Sequence, residues 1–155
     1  MKSQFSPYAP TLLPTDTPSA MPTSVPTKRL THVYGEYEYH LAYEEKSWND
    51  HNATASLWGW NLASIHSKKE IHFIVENVVN NVNGIFWLGG IRTSLSNPND
   101  GSRNSWMWSD GSPWNYHNWY FGQPNSFTMD GENIIEDRMV LRSSGKWFDH
   151  GGGEG

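Results

Sequence analysis

Cysteine is missing from all 155 residues. Its absence excludes disulfides, thiolate metal centres and cysteine nucleophiles together, and by itself favours a reducing compartment. Long apolar runs are missing too, since no stretch approaches the length of a membrane-spanning helix. The residues after Met1 and Lys2 are polar and proline-rich rather than an apolar leader core, so no signal peptide is expected. Lys and Arg number 11 against 16 Asp and Glu, a net charge of −5. These cations are scattered, which argues against nucleic acid, because phosphate binding needs them clustered. No Gly-x-Ser-x-Gly, His-Glu-x-x-His or Walker pattern occurs, and no spacing ties Ser, His and Asp into one site. The chain is not expected to be an enzyme.

What the chain does have is aromatic mass. Nine Trp, seven Tyr and six Phe make a large core per residue, although only 36% of the residues are hydrophobic. The length suits one domain plus a tail. Indoles concentrate in the run Trp106-Met-Trp-Ser-Asp-Gly-Ser-Pro-Trp114, which continues through Asn118-Trp119 to Gly122-Gln-Pro-Asn125. A disordered loop would leave those indoles in water. Aromatic rings beside oxygen-rich turns suit a polyol: sugar C–H faces stack on rings while hydroxyls meet fixed donors and acceptors. Trp87, Trp106, Trp108 and Trp147 are nonetheless expected in the core, as most tryptophans are.

Residues 1–29 read as a Pro/Thr/Ser-rich disordered linker. Prolines at 7, 10, 14, 18, 22 and 26 favour extended backbone and forbid a helix. From Leu30 onward the pattern is that of a folded domain. Tyr34–Tyr43 alternates aromatic with polar residues and reads as a half-buried strand. Ser47 opens a helix with Asp50 three residues on. Ser67-Lys-Lys-Glu70 is a capping box opening a second helix, whose Ile71, Ile74, Val75, Val78, Val79 and Val82 share one face until Asn83-Gly84 stops it. Ile71, Val75, Val78 and Trp87 are expected to be buried. Ile85–Leu88 reads as a buried strand, and Met139–Leu141 with Lys146–Phe148 as a hairpin. A strand, two helices and then several strands among long loops is an α+β order.

From about Leu30 to its end the chain resembles a C-type lectin-like domain. The resemblance rests on Trp48, Leu62-Ala-Ser-Ile-His-Ser67 with Glu70, and Phe86-Trp-Leu-Gly89. It continues through Trp106-x-Trp108-Ser-Asp-Gly-Ser-Pro-Trp114, Asn118-Trp119, Gly122-Gln-Pro-Asn125, Glu132 and Lys146-Trp-Phe-Asp149. It implies two helices packed on small antiparallel sheets with long irregular loops, and an extracellular or cell-surface setting. Three departures from the family pattern stand out. Ala55, Ile134 and Gly152 occupy positions where the family has cysteines, and Ala55 and Ile134 are expected to fill that space in the core. The domain, residues 30–155, ends where the family runs into its last strand, which would leave an edge near Tyr37–Tyr43 unpaired. The family's Trp-Asn-Asp reads Trp147-Phe148-Asp149.

The resemblance further implies one Ca²⁺ held by Gln123, Asn125, Glu132 and Asp149. Calcium takes six to eight oxygens: two amides, two carboxylates and the Asp149 carbonyl are of the right kind, and two carboxylates balance its charge. The same residues would meet sugar hydroxyls. Tyr116 and His117 are the expected contacting rings, while Pro124, in a cis peptide, and Trp119 support the loop. Ser126 and Asn133 stand where acids would build a second calcium site, so one site is expected. Two readings stay open beside calcium-dependent carbohydrate binding. Phe148 removes an oxygen ligand at the centre, which favours a calcium-independent protein-recognition domain, and the flat polar loops allow surface binding of the ice type. The expected partner is a glycan or glycoprotein, with no nucleic acid and no direct membrane insertion. Gln123-Pro124-Asn125 mixes the family's mannose-type and galactose-type tripeptides, leaving the sugar undecided.

Overall fold

A computed structural model describes residues 30–80, 82–93, 105–126 and 135–152. Residues 1–29, Glu132 and Ile134 lie outside them, so the linker, one expected ligand and one expected core position are not described. The elements run β1 (His32–Tyr34), β2 (Tyr37–Tyr39), α1 (Trp48–Leu57), α2 (Lys68–Phe73), β3 (Ile85–Arg92), β4 (Trp106–Trp108), β5 (Glu136–Arg142) and β6 (Trp147–Gly151). β1 and β2 form a two-stranded antiparallel sheet, and the others a four-stranded sheet in the order β4-β3-β5-β6, antiparallel throughout.

The single strand expected over Tyr34–Tyr43 is instead a tight hairpin. Gly35 takes φ +61°, a conformation that L side chains resist, and reverses the chain between Tyr34 and Tyr37. Tyr39 is thereby buried, whereas Tyr37 and Tyr43 stay exposed.

Both helices start where their caps require. The Ser47 hydroxyl accepts the Asp50 amide at 3.1 Å, and Ser67 accepts the Glu70 amide at 3.1 Å. The Glu70 carboxylate does not fold back onto the cap as a capping box would have it. It is buried and accepts from the Tyr39 hydroxyl at 2.5 Å and the His66 amide at 2.8 Å. One side chain thus ties β2 to the entrance of α2. Burial, then this hydrogen bond to a carboxylate, pushes the Tyr39 hydroxyl well above the ordinary tyrosine range.

The expected helical face through Val82 is cut short. Beyond Phe73 the backbone widens into a π-helical turn over Ile74–Val78, with the Val79 amide bonded to the Ile74 carbonyl at 3.0 Å. The extra residue per turn rotates the inner face, so Ile71, Ile74 and Val79 are buried while Val75 and Val78 only flank the core. Trp87 is also half-buried rather than enclosed, and its indole N–H donates to the Lys46 carbonyl at 3.0 Å near the surface. Ala55 is half-buried on α1.

The core forms where the tryptophan run meets the β5–β6 hairpin. Trp108 and Trp147 are fully buried and pack edge to face at 5.5 Å, with Trp106 and Trp119 in the same arrangement at 5.1 Å. The long segment after β4 is stitched along β6: Trp147 donates to the Asn118 carbonyl at 3.1 Å, and Tyr120 donates to the Trp147 carbonyl at 3.0 Å. This contact places Gly122–Asn125 over Asp149. At the centre of β3 only glycine fits, because a Cβ on Gly90 would lie 2.5 Å from the Met139 side chain. Gly90→Ala is expected to cost about 1–3 kcal/mol through overpacking, seen as a lower midpoint in urea unfolding with an unchanged slope.

Candidate functional site

Two polar constructions position the loops. The first holds the turn inside the tryptophan run. Asp110 accepts from the Ser112 hydroxyl at 2.6 Å, the Ser112 amide at 2.9 Å and the Ser64 hydroxyl at 2.7 Å. Burial alone would raise the Asp110 carboxyl, but those donors and nearby His66 outweigh it and hold it below the ordinary carboxylate range. A depressed carboxyl stabilises the fold above the unfolded-state pKa and loses that contribution as pH falls through the folded value. Asp110→Asn should therefore be less stable than the wild type above about pH 4, and the two melting curves should converge on further acidification.

The second construction is the candidate site. The Gln123–Pro124 peptide is cis, and Pro124 is buried while Asn125 is exposed. Beneath the loop, Asp149 on β6 is 4% exposed. Its two carboxylate oxygens accept the amides of Asn125 at 3.1 Å and Ser126 at 2.6 Å. Ser126 sits at φ +54°, an uncommon setting for a residue with a side chain. Its hydroxyl accepts from the Arg92 guanidinium at 2.6 Å. Burial pushes the Asp149 carboxyl above its ordinary range, even though the Ser126 and Asn125 amides and the Arg92 charge pull the other way.

The structure thus brings Asn125 and Asp149 together, through the backbone of one and the side chain of the other, with Gln123 two residues before Asn125. Glu132 lies outside the described residues. Lys146, the basic residue nearest Asp149 in sequence, does not reach it: its ammonium donates to Asn118 Oδ1 at 2.8 Å. The cation facing Asp149 is Arg92, which sequence reasoning missed because it comes from β3. Trp119 is buried beside Trp106 and Trp114 and braces the segment leading into the loop.

Tyr116 and His117 are placed elsewhere. They line a cleft of about 470 Å³ between α2 and the β5–β6 turn, whose lining includes none of Gln123, Asn125 or Asp149. Other rings adjoin the loop and Asp149 in sequence. Tyr120 stacks on Phe148 at 5.0 Å, the Arg142 guanidinium lies 4.3 Å over the Phe148 ring, and Phe121 is 94% exposed. A ring at 148, on the strand beside Asp149, was legible; its stacking partners depended on how the Trp119–Trp147 contact folds the loop back.

No family model matches the chain. Over 115 residues, 73% of its length, it is 38% identical to the C-type lectin lectoxin-Lio1 of Erythrolamprus poecilogyrus, and the match covers 66% of that protein. The chain therefore spans just under two thirds of that curated relative. The structure is similar to the mouse scavenger receptor C-type lectin carbohydrate-recognition domain, with a TM-score of 0.65 and 25% identity over 80% of this chain and 88% of that one. It is also similar to a calcium-independent type II antifreeze protein, with a TM-score of 0.52 and 27% identity over 68% of this chain and 70% of that one. The helices, small antiparallel sheets and long loops are the α+β fold of these proteins. The chain belongs to the C-type lectin-like domain family.

Proposed function

We propose that the domain is a non-enzymatic carbohydrate-binding module acting outside the cell, with Gln123–Asn125 as its binding loop and one Ca²⁺ shared by Gln123, Asn125, Glu132 and Asp149. The observation that carries this reading is the clamp: the buried Asp149 carboxylate accepts the backbone amides of Asn125 and Ser126 and so fixes the loop that carries Gln123 and Asn125 over β6. The relatives named as lectins and the carbohydrate-recognition domain support the same ligand class.

The donor set suits calcium in kind. Amide and carboxylate oxygens are hard ligands of the kind calcium takes. The set falls short in number, because Phe148 brings a ring where an oxygen would serve. Water and the hydroxyls of a bound sugar would fill the remaining positions. So sparse a site implies affinity in the range of about 10⁻⁴–10⁻³ M, useful to an extracellular module. Bound calcium would supply a docking point for a pair of adjacent hydroxyls, while the chain itself orients them through Gln123 and Asn125.

Calcium-independent recognition is favoured by one specific observation, the Tyr120–Phe148–Arg142 stack beside the loop. Glu132→Gln separates the two readings. With calcium as the link, the variant should lose most glycan binding on an array and become insensitive to chelator. Unchanged binding would leave only the aromatic surface.

A further inference from the structure

We infer that the cleft between α2 and the β5–β6 turn binds an acidic sugar residue, one carrying a sulfate or carboxylate group. Its floor is apolar, made by Ile71 and Val75, and the half-buried Tyr116 ring lines it. That ring is fixed edge-on against Trp147 at 5.7 Å. The close approach of the floor to the turn requires Gly145, at φ +79°, where a Cβ would lie 3.1 Å from Val75. Such a floor suits the C–H face of a sugar.

The rim sets the sign of the ligand. Lys68, Lys146, His72 and His117 line the cleft and, among the described residues, no Asp or Glu does, in a chain whose net charge is −5. Among the described residues neither lysine sits in an ion pair. Lys146 is held in place by a neutral acceptor: its ammonium donates to Asn118 Oδ1 at 2.8 Å, and Asn118 in turn donates to the Gly145 carbonyl at 2.7 Å. That bond fixes the ammonium while leaving its charge uncancelled. His72 is already engaged, with Nε2 3.1 Å from Glu76, so Lys68, Lys146 and His117 are the groups left to meet an anion. Placing two ammonium groups around an apolar, ring-lined floor selects a ligand with both a stackable face and a negative substituent.

That the ligand is a saccharide rests on the reading above; that it is anionic does not. The test is calorimetry in chelator with four probes: a sulfated, uronate-containing hexasaccharide, its unsulfated counterpart, a neutral hexasaccharide and inorganic sulfate. The sulfated probe is expected to bind, and Lys68→Glu to weaken it at least tenfold. Lys68 is exposed in the first turn of α2, where an acid is tolerated, so folding should be preserved. His117→Glu should add to the loss. Binding of the unsulfated uronate as well would assign a carboxylate as sufficient; binding of the sulfated probe alone would assign sulfate. The inference is overturned if Lys68→Glu binds as the wild type does, if the neutral probe binds equally, if inorganic sulfate matches the hexasaccharide, or if nothing binds at millimolar concentration. Because chelator is present throughout, a failure of the calcium loop leaves this result untouched, and the reverse holds.

Discussion

Glu70→Ala should lower the stability of the domain by about 3–4 kcal/mol, or roughly 10–15 °C in melting temperature. The carboxylate is buried and holds two donors from different elements, the Tyr39 hydroxyl of β2 and the His66 amide that leads into α2. Removing it strands a buried hydroxyl and an amide and leaves the β1–β2 hairpin attached mainly by ring contacts, such as Tyr34 on Phe73 at 5.1 Å. Hydrogen bonds to a charged acceptor contribute about 1.5–3 kcal/mol each, and an unmet buried donor adds its own cost. Tyr39→Phe should cost less, because Glu70 keeps the His66 amide. The double variant should be close to Glu70→Ala, with a coupling energy that marks the pair as one unit. A melting point for Glu70→Ala within 2 °C of the wild type, measured by calorimetry, would mean the hairpin does not depend on this carboxylate.

Asp149→Ala should act mainly on binding. Without its carboxylate the amides of Asn125 and Ser126 lose their acceptor, Ser126 has less to hold it at positive φ, and Arg92 loses the charge that offsets it. The loop is partly exposed, so water can meet the freed amides, and the stability loss should stay near 2 kcal/mol. Glycan affinity should fall about 100-fold, roughly 2.8 kcal/mol, because both the loop geometry and the proposed calcium ligand are removed. Asp149→Asn retains one acceptor oxygen and should fall between the two. If Asp149→Ala binds glycans normally while Phe148→Ala does not, the aromatic stack rather than the clamped loop is the binding surface.

Local chemistry was the legible part of this fold. The Ser47 and Ser67 caps, the β5–β6 hairpin around Ser143–Gly145 and the burial of Trp106, Trp108 and Trp147 all follow from residues within a few positions of one another. The illegible parts depend on distant contacts. The π-helical turn at Ile74–Val78 keeps the helical spacing of apolar residues while rotating them, so a pattern read at 3.6 residues per turn puts Val75, Val78 and Val79 on one face, whereas of these only Val79 is buried. Gly35 broke an alternation that otherwise reads as one strand. At the site, the pairing of Asp149 with the Asn125–Ser126 backbone and with Arg92 needs three separate segments to meet, and no spacing within one segment encodes that. The placement of Tyr116 and His117 was illegible for the same reason: the segment between Trp114 and Trp119 lies along a cleft with α2.

The central claim is that the Gln123–Asn125 loop binds sugar through calcium, and one titration tests it most directly. Isothermal calorimetry of the whole chain with Ca²⁺, followed by the best array glycan in calcium and in chelator, should give a single calcium event of about millimolar affinity. Sugar binding should then appear only with the ion present. No calcium heat up to 10 mM, together with glycan binding that persists in chelator, would contradict the account.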